Sequence, residues 1–310
     1  MKGELANVVL IVSGLNVISE AFHEFPHNQA GLIEIVHERD LNNRVRGACE
    51  RYCEQHRLRY ARVSRANLLG IEQHLIAWQA TLVVTHSVPV LPMRLIDPLL
   101  HGGINLHHSK LPNYRGGNPL LWQVIEGVPR IGVSVHVLSA GADEGALLAQ
   151  TEFDRPHAVP KHILTRIANY HYGLDLIKQV IPAWVDGTID AFDQPLTSPT
   201  VQANHFPFEQ LLSILSHRAV SLSGLWDVAC FLEYWPQESV PATGWCSWFR
   251  WVPETQNLGC EHALPGQGHD GSQACTFICV GWRLHLRHNE GCVVFRPQLH
   301  VSTLLAKLVL

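Results

Sequence analysis

The sequence predicts an α/β protein with a mostly parallel sheet, followed by a smaller β-rich C-terminal domain. Three observations carry this. The first hundred residues alternate between strand-like and helix-like periods, which is the pattern of a parallel sheet flanked by helices. Hydrophobic residues make up 46% of the 310 and charged residues only 16%, enough apolar side chain for a buried core and too little charge for disorder. Beyond about residue 200 the texture changes, with Trp226, Trp235, Trp245, Trp248, Trp251 and Trp282 crowded into the last third. The length suits a core domain over 1–200 and a second unit of linker helices and strands over 201–310.

The elements follow in order. "NVVLIVS" (7–13), "GLIEIVH" (31–37), "LRYARVS" (58–64), "TLVVTH" (81–86) and "GINLHH" (103–108) read as five strands. Between them the pattern predicts helices over 16–25, 41–56, 67–78 and 92–100. A further helix is expected over 118–127, with Asn118 as N-cap, Pro119 in the first turn and Gly127 as its stop. "IGVSVHVLS" (131–139) alternates as a strand, "GALLAQTEFD" (145–154) adds another, and a long helix over about 158–186 closes the unit. Near the C-terminus, 272–300 alternates again, with "HNEG" as a turn between two strands.

Composition excludes several classes. The formal charge is −4, from 23 basic and 27 acidic residues with no block of like charges, which argues against a nucleic-acid partner. No apolar run reaches the roughly 18–20 residues of a membrane span. The N-terminal "MKGELANVVLIVSGLN" reads as a first strand rather than a signal peptide, so the expected location is cytoplasmic. The eight cysteines form no CxxC pair, and free thiols in a reducing compartment account for them better than a zinc site.

The densest stretch is "INLHHSKLPNYRGGNP" (104–119). On a strand, Asn105 and His107 point to one face while Leu106 and His108 point to the other. A carboxamide beside an imidazole at a strand's carboxyl end can stabilise an oxyanion and handle a proton. His136 follows Ser134 by the same two-residue step on the next strand. Just beyond it "SAGADEG" (139–145) holds Asp143, which can orient an imidazole or accept a proton. Taken singly, each has a plain structural reading: a strand pair, a turn, a turn residue. The joint order singles them out.

Residues 105–116, "NLHHSKLPNYRG", resemble the signature of the formyltransferases that use 10-formyltetrahydrofolate: Asn-x-His-x-Ser-x-Leu-Pro-x-Tyr-x-Gly, then a helix, a strand carrying His, and an Asp-x-Gly loop. Asn105, His107, Ser109, Leu111, Pro112, Tyr114, Gly116, His136 and Asp143-Glu144-Gly145 supply every element in order, across about 80–155. The resemblance implies a Rossmann-like domain that moves a formyl group to an amine. It implies Asn105, His107 and Asp143 as the catalytic set, and His136 in support. The folate co-substrate would be held by 86–92 and 139–143, through Val88, Pro89, Leu91, Ala140, Gly141 and Asp143. Pro89 has no N–H, so its neighbours would carry the hydrogen bonds. No metal is expected.

The acceptor is less legible. "VSGLNVISEAF" after the first strand lacks the Gly-rich phosphate loop of enzymes acting on glycinamide ribonucleotide, and lacks the Gly-Thr-Pro turn and basic loop of those acting on methionyl-tRNA. Length and a β-rich C-terminal piece keep the tRNA reading open. By elimination the resemblance is nearest to amino-sugar N-formyltransferases, with a nucleotide-linked amino sugar as acceptor and Tyr114 and Asn118 bordering its pocket. Formylation of an amino-acid or peptide amine, and hydrolysis of the formyl-folate, are the alternatives. Homodimerisation is left open. The C-terminal tryptophans suit either a small core or stacking on a base or sugar face.

Overall fold

The computed structural model describes residues 5–42, 47–195, 202–206, 210–218, 220–233, 249–257, 276–280, 283–288 and 291–299. The chain divides into two compact units. The first comprises Met1–Pro119, Arg130–Asp154 and Arg166–Asn204; the second comprises Leu120–Pro129, Arg155–Thr165 and His205–Leu310.

The first unit is built on a seven-stranded sheet. In chain order its elements are β1 (Asn7–Val12), α1 (Val17–Glu20), β2 (Asn28–Val36), α2 (Glu38–Leu41), α3 (Ala48–Gln55), β3 (Tyr60–Ser64), α4 (Glu72–Ala77), β4 (Leu82–His86) and β5 (Gly103–His107). After α5 (Pro119–Ile125), which apart from Pro119 belongs to the second unit, come β6 (Arg130–Val137) and β7 (Leu147–Asp154). The strand order is β3-β2-β1-β4-β5-β6-β7. β1 to β5 are parallel, and β6 and β7 run antiparallel to their neighbours. The link 138–146 is too short for a crossover and long enough for a hairpin, so β7 must return antiparallel. The order reverses beside β1, so the crevice between β1 and β4 is the switch point where sheets of this kind bind ligands.

Both faces of the central strands are covered, hence their continuous apolar runs. β4 is buried at every position, and β1 at every position after Asn7. On one face Val9, Ile11, Ile33, Val63 and Val83 pack with Ile71 and Leu75 around α4.

The helices depart from expectation where proline or a local register intervenes. The helix expected over 92–100 is only a 3-10 turn, Met93–Leu95. Pro98 cannot donate a helical N–H, and it disfavours the helical region for Asp97. The segment at 16–25 is α1 followed by a 3-10 turn, Phe22–Glu24, that stops before Pro26. The helix expected from 41 begins at Ala48, with 43–46 outside the described residues; the 67–78 segment opens with a 3-10 turn, Leu68–Ile71, before α4. The long helix is α6 (Lys161–Arg166), a π-helix (Ile167–Gly173) and α7 (Leu174–Val185).

In the second unit, α8 (Leu211–His217) and α9 (Leu222–Leu232) precede an antiparallel sheet of β8 (Phe249–Asn257), β9 (Thr276–Val280), β10 (Arg283–His288) and β11 (Gly291–Leu299), ordered β8-β11-β10-β9. Trp251 is fully buried. Asp227 of α9, itself buried, accepts from Arg155 Nη1 at 2.8 Å, from His157 Nδ1 at 3.1 Å and from the Ala158 N–H at 2.8 Å. Residues 289 and 290 of the expected turn lie outside the described residues, as do Trp235, Trp245, Trp248, Trp282, Cys246, Cys260 and Cys275. Cys49, Cys53, Cys230 and Cys292 are free thiols. Burial pushes the Cys53 thiol up to about 12, the opposite of what a reactive cysteine needs.

Candidate active site

The site assembles at the carboxyl ends of β4 and β5, where register brings three strands together. Asn105 lies beside Thr85 across the parallel β4–β5 pair and opposite His136 across the antiparallel β5–β6 pair. Its carboxamide is oriented from one side: Oδ1 accepts the Thr85 hydroxyl at 2.8 Å. The Nδ2 hydrogens therefore aim the other way, at His136 Nε2 (3.0 Å) and Asp143 Oδ1 (3.2 Å).

Asp143 occupies the 138–146 loop with φ of 56°, a conformation Asp tolerates better than most residues. Its Oδ1 faces His107 Nδ1 at 3.4 Å and His136 Nε2 at 3.3 Å, and its Oδ2 accepts the Gly116 N–H at 2.9 Å. Burial pushes this carboxyl up, but the neighbouring His136, the proximity of His107 and the Gly116 N–H outweigh it and hold it down at about 2. Asp143 is thus an anion throughout the physiological range.

His107 is also buried. Its Nε2 lies 2.9 Å from the Tyr114 carbonyl, which can only accept, so Nε2 carries a hydrogen and the ring works through Nδ1. Burial lowers its pKa, opposed by Asp143 and by the Tyr114 carbonyl. His136 has the complementary arrangement: Nδ1 donates to the Val137 carbonyl at 2.9 Å, leaving Nε2 to face Asn105 and Asp143. An anion, a carboxamide with its donors aimed, and two imidazoles of fixed orientation can together stabilise a developing oxyanion and transfer a proton.

His108 points to the opposite face of β5. Its Nε2 bonds Asn169 Oδ1 in the π-helix at 2.6 Å, and its ring packs edge-on against His86 at 5.0 Å. Tyr114 is buried with φ of 58° and contributes its carbonyl to His107. The Asn118 N–H donates to the Ala203 carbonyl at 2.9 Å. Val88 and Pro89 are half-buried and Leu91 joins the core, while Ala140 is exposed and Gly141 half-buried at the rim of the aspartate loop.

Residues 41–169, which contain all four of Asn105, His107, His136 and Asp143, match the formyl transferase family. Over this stretch, less than half of its length, the chain is similar to formyl transferases. Among curated relatives, the methionyl-tRNA formyltransferase of Myxococcus xanthus (strain DK1622) is 31% identical over 114 residues, 36% of this chain and 36% of that protein. The corresponding protein of Lactiplantibacillus plantarum (strain ATCC BAA-793 / NCIMB 8826 / WCFS1) is 28% identical over 163 residues, 48% of this chain and 47% of its own length. The chain thus spans under half the length of these relatives. Two solved structures share the fold across nearly the whole chain. WlaRD, a sugar 3N-formyl transferase solved with dTDP and 5-N-formyl-THF, aligns with a TM-score of 0.56 at 10% identity, over 96% of this chain and 99% of its own. The Helicobacter canadensis N-formyltransferase, in complex with folinic acid and dTDP-3-aminofucose, aligns with a TM-score of 0.56 at 13% identity, over 94% and 99%.

One participant escapes the sequence reading, and one that the signature contains gains a role. Thr85 orients Asn105, and the signal for it is positional: it is the residue that the β4–β5 register sets beside Asn105. Gly116 has φ of 115°, and a Cβ there would come within 3.0 Å of the Ala203 carbonyl oxygen, so only glycine fits where its N–H reaches Asp143. A cavity of about 390 Å³ opens over the ends of β1, β2 and β3, lined by Ser13, Glu34, His37, Asp40, Arg62 and Arg65 among others. None of the four site residues lines it. Arg62 is tied to Tyr60 (2.8 Å) and Glu50 (3.2 Å), whereas Arg65 is exposed. Among the described residues there is no cluster that could hold a metal ion, and no helix long and apolar enough to cross a membrane.

Proposed function

We propose that this protein transfers the formyl group of 10-formyltetrahydrofolate to the primary amine of a small acceptor, a nucleotide-linked amino sugar. The observation that carries the reaction class is the convergence of Asn105, His107 and His136 on one carboxylate oxygen of Asp143. As the amine attacks the formyl carbon, charge grows on the formyl oxygen and the Asn105 N–H meets it, a contribution of about 3 kcal/mol for a donor of this kind. The attacking nitrogen must lose a proton and the leaving N10 of the folate must gain one. His107 Nδ1, steadied by the Asp143 anion, is the group to relay it. The folate would lie along 86–92 and 139–143, within reach of both.

The acceptor assignment draws on the fold shared with sugar formyltransferases over 94–96% of the chain and on the acidic balance of the sequence. The nucleotide end would occupy the cavity over β1–β3, one strand across the switch point, with Arg65 meeting phosphate and Asp40 meeting a hydroxyl. Arg65→Ala should then raise KM for the nucleotide sugar about tenfold and leave kcat unchanged, as loss of uniform binding does. Methionyl-tRNA is the second reading, favoured by the curated relatives.

The deciding experiment follows tetrahydrofolate release from 10-formyltetrahydrofolate with no amine, with dTDP-3-aminofucose, and with methionyl-tRNA, weighing each acceptor by mass. A formylated sugar supports the proposal, and a formylated tRNA replaces the acceptor. Release without amine replaces the transferase with a hydrolase. Folded protein that neither turns over formyl-folate nor binds folinic acid overturns the reaction class.

A further inference from the structure

Asp143 sits in a left-handed backbone conformation, on a loop, at the centre of the site; a loop so placed wanders unless something outside it holds it. Gln194, from the segment after α7, is 8% exposed and makes four hydrogen bonds with its side-chain amide. Nε2 donates to the carbonyls of Asp143 (2.8 Å) and Gly145 (2.7 Å), one on each side of Glu144. Oε1 accepts from Nε (3.0 Å) and Nη2 (2.6 Å) of Arg115 in the signature loop. A primary amide has two N–H groups and two lone pairs, and all are used.

The partners close a ring. Arg115 is followed by Gly116, whose N–H bonds the carboxylate of the same Asp143 whose carbonyl Gln194 holds. The Arg115 carbonyl in turn accepts the Ala203 N–H at 2.7 Å. We propose that Gln194 and Arg115 are positioning residues: a brace that locks the aspartate loop to the signature loop and so fixes the Asp143 carboxylate against His107. The chemistry selects these side chains. A glutamate at 194 would pair with Arg115 but turn a carboxylate toward two carbonyls, and a lysine at 115 would lose the bidentate fork. Only the catalytic consequence rests on the formyl-transfer reading; the brace itself is a statement about Asp143.

The test follows the His107 imidazole by ¹⁵N NMR across pH in the full chain, in wild type and in Gln194→Ala, Gln194→Glu, Arg115→Lys and the Gln194→Ala/Arg115→Ala double variant. The groups that face His107 are Asp143, His136 and the Tyr114 carbonyl, with His86 nearby. Asp143 is the one that raises its affinity for a proton most, so release of the loop should shift the His107 titration further down in each single variant. Because both side chains act through one brace, the double variant should shift it no further than Gln194→Ala alone. In turnover of 10-formyltetrahydrofolate with dTDP-3-aminofucose, kcat should fall about tenfold with KM for the folate little changed, the mark of misplacement rather than lost binding. A His107 titration that coincides with wild type in both Gln194→Ala and Arg115→Lys overturns the brace. Arg115→Lys, the milder change, keeps that result obtainable if Gln194→Ala fails to fold. A wild-type protein inert toward formyl-folate overturns the formyl-transfer reading instead, and leaves the NMR comparison to decide the brace.

Discussion

The two faces of β5 carry adjacent histidines with opposite surroundings. On one, His107 meets a carboxylate that is also held by Asn105 and His136. On the other, His108 meets the neutral amide of Asn169, beside His86. Both histidines are buried. Burial therefore does not distinguish the two imidazoles; an anion with several groups converging on it does. Asp143→Asn tests this most directly, since it keeps the shape and removes the charge. Formyl transfer should fall roughly 10⁴-fold, the scale for losing the carboxylate that orients a catalytic imidazole, with the circular dichroism spectrum unchanged. A loss below tenfold would erase the contrast between the faces.

The opposite face should fail in a different way. His108→Leu strands the buried Asn169 Oδ1, which should cost about 1–3 kcal/mol in chemical denaturation while kcat stays within about threefold of wild type. Asn169 Nδ2 already has no partner among the described residues, so losing the bond to Oδ1 would add a second unsatisfied atom to the same buried amide. His86 adds a pH signature. Burial first, then the neighbouring His108, pushes it down to about 3. A histidine whose folded value lies below its unfolded value of about 6.5 binds fewer protons when folded, so stability is complete above that pH and drains as pH falls toward about 3. Asp143 acts in a lower window: its value is depressed from 3.8 to about 2, so its contribution is present above about 4 and lost below. His86→Leu should flatten the loss of denaturation midpoint between pH 6.5 and 4 and leave the lower window intact. Parallel slopes for the two proteins would mean that some other group carries the acid sensitivity.

Much of this was legible in the sequence because strand periodicity is a local property. The period of two separates Asn105 and His107 from His108 without reference to anything distant, and five parallel strands follow from apolar runs bounded by turns. What the sequence concealed depends on register or on tertiary contact. The helix expected at 92–100 fails because Pro98 outweighs a favourable apolar spacing, and the long helix carries a π segment that no periodicity announces. Thr85 becomes meaningful only once β4 and β5 are aligned. Gln194 reaches Asp143 across 51 positions of chain from a segment with no regular structure, and nothing around it in the sequence points there.

The smallest expected effect concerns Thr85, and it bears on how a strand face becomes a site. Asn105 could present either its oxygen or its nitrogen to Asp143, since the two orientations of a carboxamide differ little in shape. An oxygen turned toward an anion would repel it and, in the reaction proposed above, leave no donor for the formyl oxygen. The Thr85 hydroxyl, 2.8 Å from Oδ1, decides the matter by donating to the oxygen and so sending the N–H groups toward Asp143. Thr85→Val is nearly isosteric and removes only the hydroxyl. The amide would then sample both orientations, and kcat should fall about tenfold, equivalent to about 1.4 kcal/mol of transition-state stabilisation, while KM for the folate holds. Thr85→Ser, which restores the donor without the methyl, should recover most of the loss. Were serine impaired and valine not, the methyl group's packing in the core of β4 would be what matters, and the orientation of Asn105 would have to come from Asp143 and His136 alone.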